Sequence, residues 1–388
     1  MILETLLRWL ICMVQPFYGW RVPVALLRGS ARGSGKQVTL LAAGSKRWTQ
    51  FIKQHFFAGE PEVVRMVRVP VWSLQKRLNE WQSSADLTVV GIDRVSAGLF
   101  LERGCLRVPF WITSWMQVPD DLKAFGRTHG HAAADMQRVR NNDLEHRLSH
   151  ANEDLDEFYD RFYVPYISHR HDVGESLASR WMIRFLFKHG GLMWVIREDQ
   201  RLAGGITMVQ GKKCSMGPIG LRDGRLDLLR QGALAAIYVH SIQHARQAGC
   251  TRLFMGGSRP SLHDGVLHYK SKWAGGLCAH GGHLSSNFVM LLRWNRLDGP
   301  VAEFLSHTSL IHHDHDGYSA LWVFPSDVPL TADNLRKHHR DLNAAGLRRF
   351  RILLPGDPPP DFECPPEVRL ISLESMAHGG PEMLQTFA

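Results

Sequence analysis

Residues 256–273 read GGSRPSLHDGVLHYKSKW, and five of the side chains between 263 and 270 can move protons or hold charge: His263, Asp264, His268, Tyr269 and Lys270. An imidazole or carboxylate can take a proton from an attacking group, a phenol or imidazole can return one, and an ammonium can steady a developing oxyanion. Each also has a plainer use. Asp-Gly is a common turn pair, Tyr269 and Trp273 suit a core, and most lysines are simply solvated. Read as an extended run over 266–270, the segment sends His268 and Lys270 to one face and Tyr269 to the other.

The elements that must position these residues follow from periodicity. TRLFM (251–255) is a strand leading into the stretch. Before it, LDLLRQGALAAIYVHSIQHARQAGC is a helix over 228–248 with Leu234, Ile237, Tyr238, Ile242 and Ala245 on one face and Gly249 as its stop. LMWVIRED and RLAGGITMVQ form a hairpin around Asp199 and Gln200, and KCSMGPIGL is a further strand. Upstream stand the strand LEHRLSH and two helices. NEDLDE opens the first, with Leu155, Phe158 and Phe162 inward. SLASRWMIRFLFKHG is the second, ended by Gly190.

This order, with RLAGGITMVQ, GALAAIYVHSIQHARQAGC and LFMGGSRPSLHDGVLHYKSKWAGG as its carriers, resembles the GNAT acyltransferases. Within them it is most similar to the branch of Fem-type aminoacyl transferases and cellulose-biosynthesis-associated acetyltransferases. Ala245–Gly249, the pair Gly256–Gly257, and Lys270 ahead of Trp273 are the matching features. The resemblance spans 138–285 and implies a mixed-sheet α/β fold, GNAT-like, with two tandem halves of which 37–130 is a degenerate first copy. It implies acyl-CoA as co-substrate and direct attack on the thioester by an amine or hydroxyl, with no covalent enzyme intermediate. The acceptor would be a small molecule, a glycan or a lipid intermediate of envelope or polysaccharide assembly.

In that reading the backbone amides at the start of the 228–248 helix grip the donor's diphosphate, using Arg230, Gln231, Gly232 and Ala233. The family loop Q/R-x-x-G-x-G/A is met loosely, one spacer short. Lys270 contacts donor or oxyanion, Asp264 or His268 is the base, and Tyr269 completes the catalytic set. His169, Arg170, His171 and Arg259 are placed on the acceptor side. Arg138, Arg140 and Arg147 form either a basic lip for an anionic acceptor or a solvated face. Two other functions stay open: an aminoacyl-tRNA-dependent transferase, although no long charged helical arm is visible, and a non-catalytic scaffold or sensor.

The rest of the chain sets bounds. With 388 residues, 44% of them hydrophobic and 21% charged, it has material for two or three cores. Its formal charge of +9 favours an anionic partner, yet the basic residues are scattered, unlike those of a dedicated nucleic-acid binder. Six cysteines without a CxxC pair suit a reducing, cytoplasmic setting. In MILETLLRWLICMVQPFYGW, Leu3, Leu6, Leu7, Leu10 and Val14 recur at helical spacing, too briefly for a span. This helix either packs on the body or lies on the inner membrane face. GSARGSGKQ (29–37) fails as a phosphate loop and reads as a flexible linker.

The resulting division is an N-terminal helix and linker (1–36), an α/β domain (37–130), the acyltransferase domain (135–310) and a small strand–helix–strand–strand appendage (315–388). HHDHD at 312–316 holds metal-ligand types, but adjacent residues of one run cannot all face one ion. It reads as an exposed loop, and no metal is expected.

Overall fold

The computed structural model describes residues 20–33, 35–44, 53, 56–101, 104–170, 177–279, 288–294, 297–314 and 317–376. It is a mixed α/β protein that divides into two compact units. One is built from residues 1–112, 258–268 and 278–388, the other from 113–257 and 269–277. This differs from the serial division at 130 and 315, because strands distant in sequence share the first unit's sheets and core. No helix among the described residues is long and apolar enough to cross a membrane.

The first unit holds β1 (Arg21–Ser30), β2 (Gln37–Gly44), β3 (Glu62–Pro70), helix α1 (Leu74–Trp81), β4 (Leu87–Asp93), α2 (Arg94–Phe100) and β5 (Leu106–Pro109). The unit's six-stranded sheet has the order β3-β1-β2-β4-β13-β5, where β13 is Phe288–Trp294. Period-two alternation sorts its residues between two cores. Leu40, Val89 and Leu292 point into one, and Leu41, Val90 and Leu291 into the other. Residues 29–37 are not a linker. β1 and β2 form an antiparallel hairpin reaching Ser30↔Gln37, and β1 begins at Arg21, inside the segment assigned to helix and linker. The helix expected over RWTQFIKQHFF falls almost wholly outside the described residues, as does the N-terminal helix up to residue 19.

The second unit holds β6 (Ile112–Gln117), α3 (Leu122–Thr128), α4 (Gly130–Asn141), β7 (Glu145–Ser149), α5 (Asn152–Glu157), a π-helical stretch (Phe158–Tyr163), α6 (Val164–Arg170), α7 (Arg180–Lys188), β8 (Gly191–Arg197), β9 (Gln200–Gln210) and β10 (Lys213–Leu221). There follow α8 (Asp227–Arg230), α9 (Ala233–Gln247), β11 (Arg252–Ser258), the last turn of α10 (Gly265–Ser271, whose first residues belong to the first unit) and β12 (Gly276–Ala279). The seven-stranded sheet runs β12-β6-β11-β10-β9-β8-β7. Helix α9 seals one side of it with Ala236, Ile237 and Ile242 against Ala203 and Val195. Up to β11 the element order is the one on which the family resemblance stood.

The remaining elements belong to the first unit. They are α11 (Gly299–His307), β14 (Leu310–Asp314), β15 (Gly317–Val323), α12 (Ala332–Leu342), β16 (Leu347–Leu354), β17 (Val368–Ser372) and α13 (Leu373–Met376). Thr331 caps α12 as its sequence implies, accepting from the Asn334 N–H. β14 to β17 form a four-stranded sheet in chain order. Residues 312–314 are therefore strand, and His312 is buried, where an exposed loop was expected. The described residues contain no cluster fit to hold a metal ion.

Candidate active site

Strands β10 and β11 run parallel but pair over only three steps, Lys213↔Arg252 to Ser215↔Phe254. Beyond them β10 shifts register against β9 between Met216 and Ile219, at Gly217-Pro218. Proline has no N–H for the ladder, and a bulge bends its strand. The two strands therefore part where the chain reaches Gly256 and Gly257. Gly256 has φ +70°, and a Cβ there would stand 3.1 Å from the Met216 carbonyl oxygen. Glycine suits both the turn and the close approach.

Lys270 lies against this parting. Only 4% of it is exposed, and its Nζ donates to the carbonyls of Gly256 at 3.0 Å and Gly257 at 2.7 Å. A buried ammonium is costly unless its protons are bonded, and these carbonyls, released from the ladder by the parting, bond them. The lysine is therefore a strut for the wall of the opening.

The segment 265–271 is helix α10, not an extended run. Asp264 precedes it and accepts from the Leu267 N–H at 2.7 Å, as a helix cap does. At about 100° per residue, His268 and Lys270 point to different sides, about 160° apart, so the shared face foreseen for them does not exist. The set that shares a face is Tyr269, Lys272 and Trp273. The Tyr269 ring meets Tyr238 of α9 edge-on at 5.2 Å, and Trp273 stacks with Tyr238 and with Phe125. His268 is exposed. His263 stands apart in the first unit, its Nδ1 accepting from the Ser309 N–H at 3.1 Å; burial, then His307 and His338, lower its pKa.

The expected donor cradle is displaced. The single helix foreseen over 228–248 is broken: Gly232, at φ +91°, is the N-cap of α9, which starts at Ala233. No side chain caps this helix. Gly232 and Ala233 are buried, and Arg230 is exposed. The stem of Arg138 covers Gly232, its Cγ being 3.1 Å from where a Cβ would sit. The Arg138 side chain is 43% exposed, and its guanidinium donates to Asp135 Oδ1 at 2.8 Å. Gln231 reaches Asp227 through Nε2 at 3.4 Å. Asp135 itself is buried, with Lys272 Nζ 3.7 Å from its other oxygen. Burial, with the Asp135 carboxylate adding to it, drives the Tyr269 phenol well above its ordinary pKa.

Arg138, Asp135, Tyr269 and Lys272 thus cluster at the head of α9. Sequence reasoning named Tyr269 and reached Arg138 only as a lip residue. It passed over Asp135, and over Lys272, whose signal was the helical spacing of 269, 272 and 273. Arg140 bonds Gln137 and Arg147 pairs with Asp199 at 3.8 Å, so the three arginines make no common lip. His169 donates through Nδ1 to the Gly224 carbonyl at 3.0 Å. The Arg170 side chain and His171 fall outside the described residues. Arg259 is half-buried just past β11, in the first unit.

No protein-family model matches the chain, and no curated protein matches it. Solved structures with a likeness to it include FemX, 12% identical over 69% of this chain and 84% of that one, with TM-score 0.37. L-PGS from Bacillus licheniformis is 15% identical over 72% and 87%, with TM-score 0.34. A GCN5-related N-acetyltransferase from Kribbella flavida is 8% identical over 84% and 77%, with TM-score 0.31. At these scores they are likenesses of shape and nothing more.

Proposed function

We propose that the chain is an acyltransferase of GNAT type that carries an acyl group from acyl-CoA to an amine or hydroxyl. The observation behind this reading is the parting of β10 from β11 in the same unit as the uncapped head of α9, over which Arg138 of α4 packs. A gap between parallel strands exposes main-chain groups to an extended amide-bearing arm, as a further strand would meet them. A helix N-terminus with an arginine beside it suits a diphosphate.

The acceptor nitrogen or oxygen attacks the thioester carbon directly, and the carbonyl oxygen gathers negative charge. The C–S bond then breaks, the acyl group stays on the acceptor, and the acceptor's proton leaves to solvent. The departing thiolate takes its proton from solvent, since the Tyr269 hydroxyl is buried and its raised pKa makes it a poor acid. Lys270 fixes the carbonyls of Gly256 and Gly257, and so the width of the opening.

Titration with acetyl-CoA, longer acyl-CoAs and aminoacyl-tRNA, followed by a thiol-release assay, tests the reading. Acyl-CoA binding with thiol release is the expected result. Binding of charged tRNA alone, or of neither donor, would reject the proposal in favour of a tRNA-dependent transferase or a scaffold.

A further inference from the structure

Independently of that chemistry, we infer that the outer edge of the first unit's six-stranded sheet is a docking surface for an anionic lipid bilayer. β3 is the last strand of that sheet, and Glu62 to Met66 are all exposed along it. Edge strands are normally kept short, charged or covered. This one leaves Val63, Val64 and Met66 in solvent, Met66 by 66%, with Arg65 and Arg68 between and beyond them. Where β3 ends, Trp72 is 59% exposed and stacks on Trp20 at 6.0 Å, and the Arg21 guanidinium lies 4.9 Å from the Trp20 ring centre. Lys76 and Arg77 follow on α1.

Two properties select the occupant. Trp, Met and Val interspersed with arginine and lysine form the composition that partitions into the headgroup layer, where tryptophan sits with its ring in the apolar margin and its N–H in the wet one. The charge is one-sided as well. Arg21, Arg65, Arg68, Lys76 and Arg77 outnumber Glu62 and Glu80, the latter already paired with Arg77 at 2.7 Å. An anionic surface complements that excess.

The test uses the full chain with vesicles of phosphatidylcholine alone and of phosphatidylcholine mixed with phosphatidylglycerol. Sedimentation with the mixed vesicles, little with the neutral ones, and release by added salt are expected. Arg65→Glu with Arg68→Glu should weaken partitioning about tenfold or more. Met66→Ser with Trp72→Ser should weaken it about fivefold. All four positions are exposed, and unchanged melting temperatures would show that the variants are folded. Three results would overturn the inference: no binding by the parent chain, equal binding by the parent and both variants, or variants that turn a dimer into a monomer without altering vesicle binding. The last would make the edge a contact between copies.

Discussion

An ammonium that is only 4% exposed must be held by its surroundings, and Lys270 is held by the two carbonyls that the parting strands release. Its side chain and the Gly256–Gly257 backbone are therefore one device. Lys270→Met keeps the bulk and removes the donors, leaving both carbonyls without this partner. The expected cost is about 1–3 kcal/mol of stability, seen as a lower urea midpoint, together with a slower transfer rate. A lysine acting only on the oxyanion would lose rate and keep its midpoint, so the two measurements taken together separate strut from electrostatic contact. The same residue shows why chemistry was only partly legible in the sequence. The pattern Gly-Gly, Lys, Trp marked the place, but which way Lys270 points depends on whether 265–271 is helix or strand, and the short apolar spacing of Val266 and Leu267 fits both.

That ambiguity belongs to the element scale. The Asp-Gly pair looked like a turn, but Asp264 starts α10 by accepting from the Leu267 N–H. Asp264→Ala should cost about 1 kcal/mol, while Asp264→Asn should restore most of it, since asparagine caps equally well. Equal losses in thermal melts of both variants would refute the capping role. β2 and β10, by contrast, occupy the residues read from the sequence, because alternation and Gly or charged flanks bound them sharply. The break at Gly232 was hidden inside an apolar run that continues on both sides. Helix α9 and edge strand β7 also share a histidine cluster. His146 and His240 lie 4.4 Å apart ring to ring. His240 bonds the Leu144 carbonyl and Gln243, with Glu145 nearby, and His244 faces His150. Burial first, then neighbouring imidazoles at His146 and His244, lower the pKa of His146, His240 and His244. The unfolded chain then binds protons more readily than the folded one just below the ordinary histidine value. This stability is whole above about pH 6.5 and drains away as pH falls toward the lowered values. Urea midpoints should fall from pH 7.5 to 5.5, and His240→Gln should flatten that slope.

At the scale of the whole molecule, the C-terminal residues are not an appendage. Leu321 and Val323 of β15, Leu353 of β16, Ile371 of β17 and Met376 of α13 lie in one core with Leu27, Leu40 and Val89 from the chain's first quarter. Local pattern recognised each strand from 315 onward but could not reveal that the core they complete begins three hundred residues earlier, since periodicity carries no information about long-range partners. Burying those five side chains is worth about 1.5–3 kcal/mol each, a sum comparable with the about 5–15 kcal/mol that holds a typical domain together. A chain ending at residue 314 should therefore lose the cooperative melting of the first unit and bind a hydrophobic dye such as ANS, as expected when an apolar face is left open. A true appendage would leave that melt unchanged on removal. Because the unit's other segments are 1–112 and 258–268, expressing residues 315–388 separately and adding them back should restore a cooperative transition if the shared core is what the strands supply.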